Sequence, residues 1–246
     1  MSESPRIALV VGAGDHIGAA IARRFAAGGF TVCLGRRRGD QLAPLISEIE
    51  QRGGTAHGFS LDARDEQQVQ ERFAWIEDTV GPIEVVVSNV GGNVQFPIRD
   101  TTARVFRKVW EMCTFTGFLV GREAAHYMVP RGRGSILFTG ATASVRGSSG
   151  YAAFAAGKHG QRALAQSMAR ELGPDGIHVA HLVIDAGVDT QWVRDRIRAR
   201  GEDPDALPEH SLMNPESVAE TYWLLHHQPR DAWTFEMDLR PSMERW

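Results

Sequence analysis

The sequence predicts an α/β fold in which a doubly wound, mostly parallel sheet carries helices on both faces. Short apolar runs alternate along the chain with amphipathic stretches, an order typical of right-handed βαβ units. Several runs are continuously apolar, which suits strands buried on both faces of a parallel sheet. The 246 residues suffice for one such domain with a sizeable core, and we expect residues 1–246 to form a single domain.

The apolar runs predict six strands, and the stretches between them predict six helices. The predicted strands are Ile7–Val11, Thr31–Leu34, Thr55–Ser60, Val85–Ser88, Ser135–Thr139 and His178–Ile184. The predicted helices are Ile17–Gly28, Gln41–Arg52, Glu66–Val80, Thr101–Tyr127, Ala152–Leu172 and Pro215–His227. Prolines and charges interrupt the chain after the last predicted strand. We expect residues 191–215 to form a mobile lid over a substrate or, alternatively, a plain surface loop.

Composition and charge exclude several classes of partner. The formal net charge of −3 creates no field that would attract nucleic acid or an anionic membrane. No apolar run reaches the roughly 18 residues of a membrane span, and the polar segment Met1–Arg6 has no signal-peptide core. Cys33 and Cys113 lie in apolar contexts typical of reduced core thiols. We therefore expect a soluble, cytoplasmic protein without a nucleic-acid or membrane partner.

A glycine-rich turn joins the first predicted strand to the first predicted helix. Residues 12–18 read GAGDHIG. Glycines let the backbone turn sharply and approach a pyrophosphate, and the following helix N-terminus offers free amides and a positive dipole end. The pattern predicts a dinucleotide site; the alternative is a purely structural turn. The predicted contacts are Gly12, Gly14, His16, Ile17 and Gly18.

The end of the second predicted strand favours NADP(H) over NAD(H). An NAD-preferring site usually carries an acidic residue here for the adenosine 2′-hydroxyl, but this chain has Gly35. Arg36 and Arg37 follow it directly, and a guanidinium can bind a 2′-phosphate with two parallel hydrogen bonds. We predict that both arginines contact the cofactor; the alternative is a solvated basic turn.

The spacing Gly12-x-Gly14-x-x-x-Gly18 resembles the short-chain dehydrogenase/reductase family, whose Rossmann-type fold carries the loop Gly-x-x-x-Gly-x-Gly. Gly12 and Gly18 match the outer glycines, whereas His16 replaces the central one. The imidazole of His16 would narrow the phosphate approach, hydrogen-bond a phosphate or ribose, or point into solvent.

The resemblance implies further cofactor contacts. Asp62, at the end of the third predicted strand, would face the adenine ring. Asn89 would stabilise the loop after the fourth strand, and Gly91 would let the backbone pass the adenosine ribose. Val188 and Thr190 occupy a segment that resembles one whose threonine binds the nicotinamide amide or the pyrophosphate.

Most of the family's catalytic Asn-Ser-Tyr-Lys tetrad is altered. Lys158 corresponds to the lysine, but Phe154 replaces the tyrosine, Ala141 the serine and Thr114 the asparagine. Phenylalanine has no exchangeable proton, and the alanine side chain has no hydrogen bond to give. The ammonium of Lys158 can still bind ribose hydroxyls.

Other hydroxyls near these positions are candidate substitutes. Tyr151 lies seven residues before Lys158, and Thr142 follows Ala141 directly. A structural role is the alternative for each of them. We predict that the catalytic set comprises Lys158, Tyr151, Thr114 and Thr142.

The leading hypothesis is an NADP(H)-dependent oxidoreductase that acts on a small carbonyl or alcohol with altered proton donors. The alternatives are a catalytically silent NADP(H)-binding protein and a non-redox lyase or isomerase. No metal site is expected, because His226 and His227 lack a suitably spaced third ligand. The resemblance implies a homodimer or homotetramer, and the tail 235–246 would pack on a neighbouring subunit or on its own sheet.

Overall fold

A seven-stranded parallel sheet forms the centre of the computed structural model, which describes residues 5–244. Its strand order is β3-β2-β1-β4-β5-β6-β7, with every neighbouring pair parallel. The strands are β1 Ile7–Val11, β2 Thr31–Arg36, β3 Thr55–Ser60, β4 Ile83–Ser88, β5 Gly134–Thr139, β6 Ile177–Ile184 and β7 Glu236–Leu239. The predicted doubly wound fold is confirmed, and the strand order reverses between β1 and β4.

Within residues 5–244, helices cover both faces of this sheet. They are α1 Ile17–Ala27, α2 Ala43–Gln51, α3 Glu66–Trp75, α4 Ala103–Trp110, α5 Thr116–Met128, α6 Ala152–Leu172, α7 Gln191–Arg198 and α8 Pro215–His226. The helix predicted over Thr101–Tyr127 is α4 and α5 joined by a π-helical turn at Glu111–Phe115. A second π-helical turn, Ile76–Val80, extends α3.

The core consists of two apolar layers, one on each face of the sheet. Strands β1 and β6 are buried along their whole length. Phe25 and Tyr222 lie in one layer, and Phe73 and Phe138 lie in the other. This two-sided burial is the physical reason for the continuously apolar runs in the sequence. Cys33 and Cys113 are free and buried, as predicted.

The segment after α8 adds a strand to its own sheet. Glu236–Leu239 pairs with residues 181–184 of β6, so the own-sheet alternative holds for these four residues. The pattern predicts no strand here, because the run is short and half of it is acidic. Residues 245 and 246 of the tail lie outside the described residues.

The predicted lid contains a helix that the irregular composition did not indicate. Helix α7 forms its first eight residues, and an isolated bridge joins Val188 to Met213 at its base. The segment lies over the carboxyl ends of the strands, where ligands bind in open α/β sheets. Its mobility stays a prediction. No helix among residues 5–244 has the length and apolar character needed to cross a bilayer.

Candidate active site

A long crevice opens at the carboxyl ends of the central strands. Its larger part is a cleft of about 760 Å³, and its smaller part is a pocket of about 240 Å³. The crevice lies where the strand order reverses, which is where doubly wound sheets bind nucleotides. Five residues line both parts, namely Gly12, Gly14, Asn89, Val90 and Gly91.

The glycine turn is held against the neighbouring strands by short contacts. Gly12 has a φ of +91°, and a Cβ placed on it would lie 2.8 Å from the Asn89 carbonyl oxygen. A Cβ on Gly18 would lie 2.5 Å from the Gly12 oxygen. The Asn89 amide donates to that same oxygen at 2.9 Å. Side chains at either glycine would therefore disrupt the turn, whereas a Cβ on Gly14 would meet no atom within 4 Å.

The N-terminus of α1 faces the larger cleft. His16 and Ile17 line the cleft beside Gly14. His16 occupies the N-cap position, and its exposed imidazole makes no capping hydrogen bond. The first amides of α1 therefore have no side-chain acceptor from the cap, an arrangement that suits a bound anion.

Arg36 lines the smaller pocket and already has two side-chain partners. Its Nη1 donates to Asp15 Oδ1 at 2.7 Å, and its Nη2 donates to Gln41 Oε1 at 2.8 Å. Arg36 and Arg37 both line the smaller pocket. The Asp15 side chain is 72% exposed, so a ligand phosphate can replace it at little cost. Sequence reasoning missed Asp15, although it is the acidic residue of the glycine turn.

Asp62 lines the smaller pocket with its carboxylate bound to Arg64. Arg64 donates from Nε at 2.9 Å, from Nη2 at 2.6 Å and from its backbone amide at 3.1 Å. These side-chain hydrogen bonds are the main reason that the pKa of Asp62 is lowered. Asp62 is thus an anion whose orientation is fixed at the pocket wall.

Val188 and Thr190 line the larger cleft at the start of the predicted lid. The Thr190 hydroxyl accepts the amide of Val193 at 3.1 Å and so caps helix α7. Its hydroxyl proton stays available to a ligand, since a hydroxyl both accepts and donates.

Lys158 lies at the floor of the cleft and is 4% exposed. Its Nζ donates to the Thr139 carbonyl at 2.7 Å and to Gln161 Oε1 at 3.0 Å. An ammonium has three protons, so one remains for a ribose hydroxyl. A Cβ on Gly91 would lie 3.5 Å from Nζ, which places the loop backbone beside the ammonium. Burial lowers the pKa of Lys158.

The structure places Tyr151 at the cleft, immediately before helix α6. Tyr151 is the N-cap residue of α6 and lines the cleft together with Phe154. Its hydroxyl accepts a hydrogen bond from Arg196 Nη2 at 2.9 Å. The phenol therefore keeps its own proton for donation, next to a fixed positive charge.

Of the two predicted catalytic threonines, only Thr142 lies in the cleft. Thr142 hydrogen-bonds the carboxylate of Asp185. Burial opposes ionisation of Asp185, but hydrogen bonds from Thr142 and Arg240 outweigh it, so the pKa of Asp185 is lowered. The Thr142 hydroxyl is thereby oriented at the cleft wall.

Thr114 lies away from the crevice lining, and its catalytic role stays a prediction. Its hydroxyl donates to the Gly157 carbonyl of α6 at 2.7 Å. A Cβ on Gly160 would lie 2.6 Å from that hydroxyl oxygen. Thr114 lines neither part of the crevice. Because Gly157 and Gly160 have no side chains, α6 packs closely against the π-helical turn that carries Thr114, and the Thr114 hydroxyl contacts the backbone of α6.

The other proton carriers near the site belong to the scaffold. His159 bonds the Ala155 carbonyl within α6. His181 is fully buried, and its Nδ1 lies 3.0 Å from Glu236 Oε2. Burial lowers the pKa of His181 to about 4, so its ring is neutral near pH 7. Neither histidine lines the cleft.

Sequence reasoning missed three arginines that line the cleft. Arg146 precedes α6, whereas Arg196 and Arg200 belong to α7 and the turn after it. Arg196 and Arg200 belong to the predicted lid, but the sequence does not show whether an arginine side chain points toward a ligand or into solvent. No cluster of metal-ligating side chains occurs among the described residues.

Comparisons with known proteins agree with this architecture. Residues 6–200 match the profile of the family described as short chain dehydrogenase. A short-chain dehydrogenase from Rhodopseudomonas palustris is 51% identical, with a TM-score of 0.82 over 96% of this chain and 98% of that chain. An alcohol dehydrogenase from the archaeon Thermococcus sibiricus, complexed with 5-hydroxy-NADP, is 26% identical, with a TM-score of 0.84 over 98% of both chains.

A curated relative gives the same result at the sequence level. The 1-deoxy-11-beta-hydroxypentalenate dehydrogenase of Streptomyces exfoliatus is 30% identical over 221 residues, which are 89% of this chain and 78% of the relative. The aligned region covers as little as 34% of another, longer relative.

Proposed function

This chain belongs to the short-chain dehydrogenase family, and we propose that it is an NADP(H)-dependent oxidoreductase acting on a small carbonyl or alcohol. The observation that carries the proposal is the crevice, in which the turn of Gly12 and Gly18 and the ammonium of Lys158 lie along one path. The turn fits a diphosphate because Gly12 and Gly18 leave no room for side chains and the first amides of α1 face the cleft.

Arg36 supports a preference for the phosphorylated nucleotide. No carboxylate occupies position 35, and the Arg36 guanidinium lies at the pocket that would receive the adenosine end. Its exposed partner Asp15 is readily displaced by a dianionic 2′-phosphate. The archaeal alcohol dehydrogenase complexed with 5-hydroxy-NADP is consistent with this choice of cofactor.

The chain's own residues supply binding and a proton. When bound, the nicotinamide supplies or accepts the hydride. Lys158 would hold the ribose through its remaining proton. In carbonyl reduction, the substrate oxygen would take the Tyr151 proton as its carbon gains the hydride, and solvent would return a proton to the phenolate. Arg196, 2.9 Å from the Tyr151 oxygen, would stabilise that phenolate.

The experiment combines binding and turnover. Fluorescence titration measures the Kd for NADPH, and absorbance follows NADPH oxidation with aldehydes and ketones of increasing size. Tyr151→Phe should retain NADPH binding and lose about 10²- to 10⁴-fold in kcat, the usual contribution of a general acid. An unchanged kcat would remove Tyr151 from the proton-donor role.

A silent NADP(H)-binding protein is the second candidate, and Phe154 and Ala141 favour it. Both line the cleft and offer no side-chain proton. Binding of NADPH without turnover of any carbonyl or alcohol would support this candidate. A lyase or isomerase would instead convert its substrate without net oxidation of the nucleotide.

We also propose a cytoplasmic homodimer or homotetramer that associates through α4, α5 and α6. Trp110, Phe115 and Phe118 form a stacked aromatic row from the end of α4 across the π-helical turn into α5, and Trp110 and Phe118 remain about 40% exposed. Exposed aromatics of this kind are typical of protein interfaces. Light scattering of the purified protein measures the assembly directly.

A further inference from the structure

Three arginines line the larger cleft. They are Arg146, Arg196 and Arg200. The acidic residues that line the same cleft are Asp15 and Glu244; Asp15 is paired with Arg36. The cleft lining thus carries more basic than acidic side chains, although the whole chain has a net charge of −3.

Arg196 is the arginine whose position the structure fixes. Its Nη2 donates to the Tyr151 hydroxyl at 2.9 Å and to Gln95 Oε1 at 2.9 Å. Its guanidinium carbon lies 4.7 Å from the centre of the Trp192 ring. All three partners are uncharged, so they orient the guanidinium without neutralising it.

The other arginines of α7 differ from Arg196 in this respect. Arg194 pairs with Asp189, and Arg198 pairs with Asp195. Arg194 and Arg198 do not line the cleft. Within residues 5–244, Arg196 makes no ion pair. A half-buried cation that only neutral groups hold has an unmet preference for an anion.

Arg146 and Arg200 add charge at the rim. Both are exposed, and neither makes an ion pair within the described part of the chain. Arg146 also interacts electrostatically with Asp185. The Asp185 carboxylate is already paired with Arg240 at 2.8 Å. The rim therefore retains net positive charge, which would attract an anionic ligand toward Arg196.

We propose that the substrate carries a carboxylate that binds Arg196, with Arg146 and Arg200 attracting it at the rim. This inference rests on the proposed function and names its substrate class. Arg196 also contacts the Tyr151 hydroxyl. In a substrate whose carboxylate binds Arg196, the carbonyl oxygen that receives the Tyr151 proton must therefore lie only a few bonds from that carboxylate. The substrate is therefore a short oxo acid or the corresponding hydroxy acid.

The test compares each acid with its uncharged ester, so that the reacting ketone stays the same. Acetoacetate and levulinate are assayed against methyl acetoacetate and methyl levulinate with saturating NADPH. The unmodified protein should show a kcat/KM at least tenfold higher for each acid. Arg196→Gln should lower that acid-to-ester ratio about 10- to 100-fold, the effect of a hydrogen bond to a charged group, and Arg196→Lys should restore part of it.

The ratio separates recognition of the anion from an effect of Arg196 on Tyr151. Loss of phenolate stabilisation would lower kcat/KM equally for the acid and the ester and leave their ratio unchanged. An unchanged ratio in Arg196→Gln would overturn the proposal. Arg198→Gln is the matched control, because this arginine lies on the same helix outside the cleft. Its acid-to-ester ratio should equal that of the unmodified protein.

The Kd for NADPH distinguishes a substrate anion from the cofactor phosphates. Arg196→Gln should leave this Kd within about threefold. A tenfold or larger loss of NADPH affinity, together with equal rates for acid and ester, would assign the arginine to the cofactor and overturn the proposal.

Calorimetric titration of levulinate makes the result independent of turnover. If no ketone is reduced, the proposed function fails, but binding of levulinate that Arg196→Gln abolishes and Arg198→Gln retains would still support the anion site. Absence of levulinate binding to the unmodified protein, with and without NADPH, would overturn the anion site even if the esters are reduced.

Discussion

Arg36 Nη1 lies 2.7 Å from Asp15 Oδ1, so the arginine proposed to bind the 2′-phosphate is already paired with a carboxylate of the glycine turn. A phosphate at Arg36 must displace this carboxylate and tolerate its charge nearby. The pair makes Asp15 a determinant of cofactor affinity that opposes Arg36.

The first prediction follows from this pair. Asp15→Asn should tighten NADPH binding about 3- to 10-fold, since it removes a largely exposed ion pair and a repulsion that together amount to about 1 kcal/mol. The affinity for NADH should change by less than twofold. Fluorescence titration with both nucleotides measures the effect. Asp40→Asn is the control, because Asp40 is exposed nearby but lines neither part of the crevice.

The second prediction concerns the missing hydroxyls at Phe154 and Ala141. In a Tyr151→Phe background, the double variant Phe154→Tyr/Ala141→Ser should raise kcat for simple ketones by about 10²-fold or more, because both residues line the cleft near Lys158 and a positioned general acid contributes about that much. Steady-state NADPH oxidation measures the gain. Phe154→Leu adds no hydroxyl and should show none; equal rates in both variants would argue that the proton donor lies elsewhere.

The third prediction uses the burial of Lys158. Lys158→Met should remove turnover yet leave the free energy of unfolding near pH 7 unchanged or higher, because the substitution removes a desolvated charge. The pKa of Lys158 is lower in the folded protein than in the unfolded chain. At pH values between the two pKa values, Lys158 is therefore protonated in the unfolded chain but not in the folded protein. The stability of the unmodified protein should thus rise relative to the variant as the pH increases toward about 10. Urea unfolding at several pH values measures this difference, and a difference independent of pH would contradict the account.

The fourth prediction concerns Glu236, which ties β7 to the rest of the fold. Its carboxylate accepts from Arg162 Nε and Nη2 at 2.6 and 2.7 Å and lies 3.0 Å from His181 Nδ1. Glu236→Gln should lower the free energy of unfolding at pH 7 by about 1–3 kcal/mol. Arg162 is the main reason that the pKa of Glu236 is lowered, so this contribution is fully present above about pH 4.5 and is lost as the pH falls through the folded pKa. Denaturant unfolding of the unmodified protein and Glu236→Gln, at pH 7 and in acid, measures this effect. A difference in the free energy of unfolding that is equal at the two pH values would contradict the prediction.

The fold could be predicted from the sequence because burial on both faces of the sheet leaves a direct pattern of apolar runs. The same logic failed for Glu236–Leu239, where a four-residue edge strand carries two acidic residues. It also failed for α7, whose mean composition is polar and rich in arginine. Short elements at the border of the core contribute few apolar positions, so periodicity says little about them.

The site could be predicted where the backbone itself makes the contacts, as at Gly12 and Gly18. It could not be predicted where side-chain direction decides. Thr114 aligns with a catalytic position, yet its hydroxyl bonds the Gly157 carbonyl. Arg196 lies 45 residues from Tyr151 in sequence and contacts its hydroxyl. No local pattern of residues encodes a contact of that kind.

The most direct test of the account is the pair of dissociation constants for NADPH and NADH, measured by fluorescence for the unmodified protein and for Arg36→Gln. We expect NADPH to bind at least tenfold more tightly than NADH, and Arg36→Gln to weaken NADPH binding about 10- to 100-fold while leaving NADH binding nearly unchanged. Failure to bind either nucleotide, or tighter binding of NADH with Arg36 intact, would contradict this expectation.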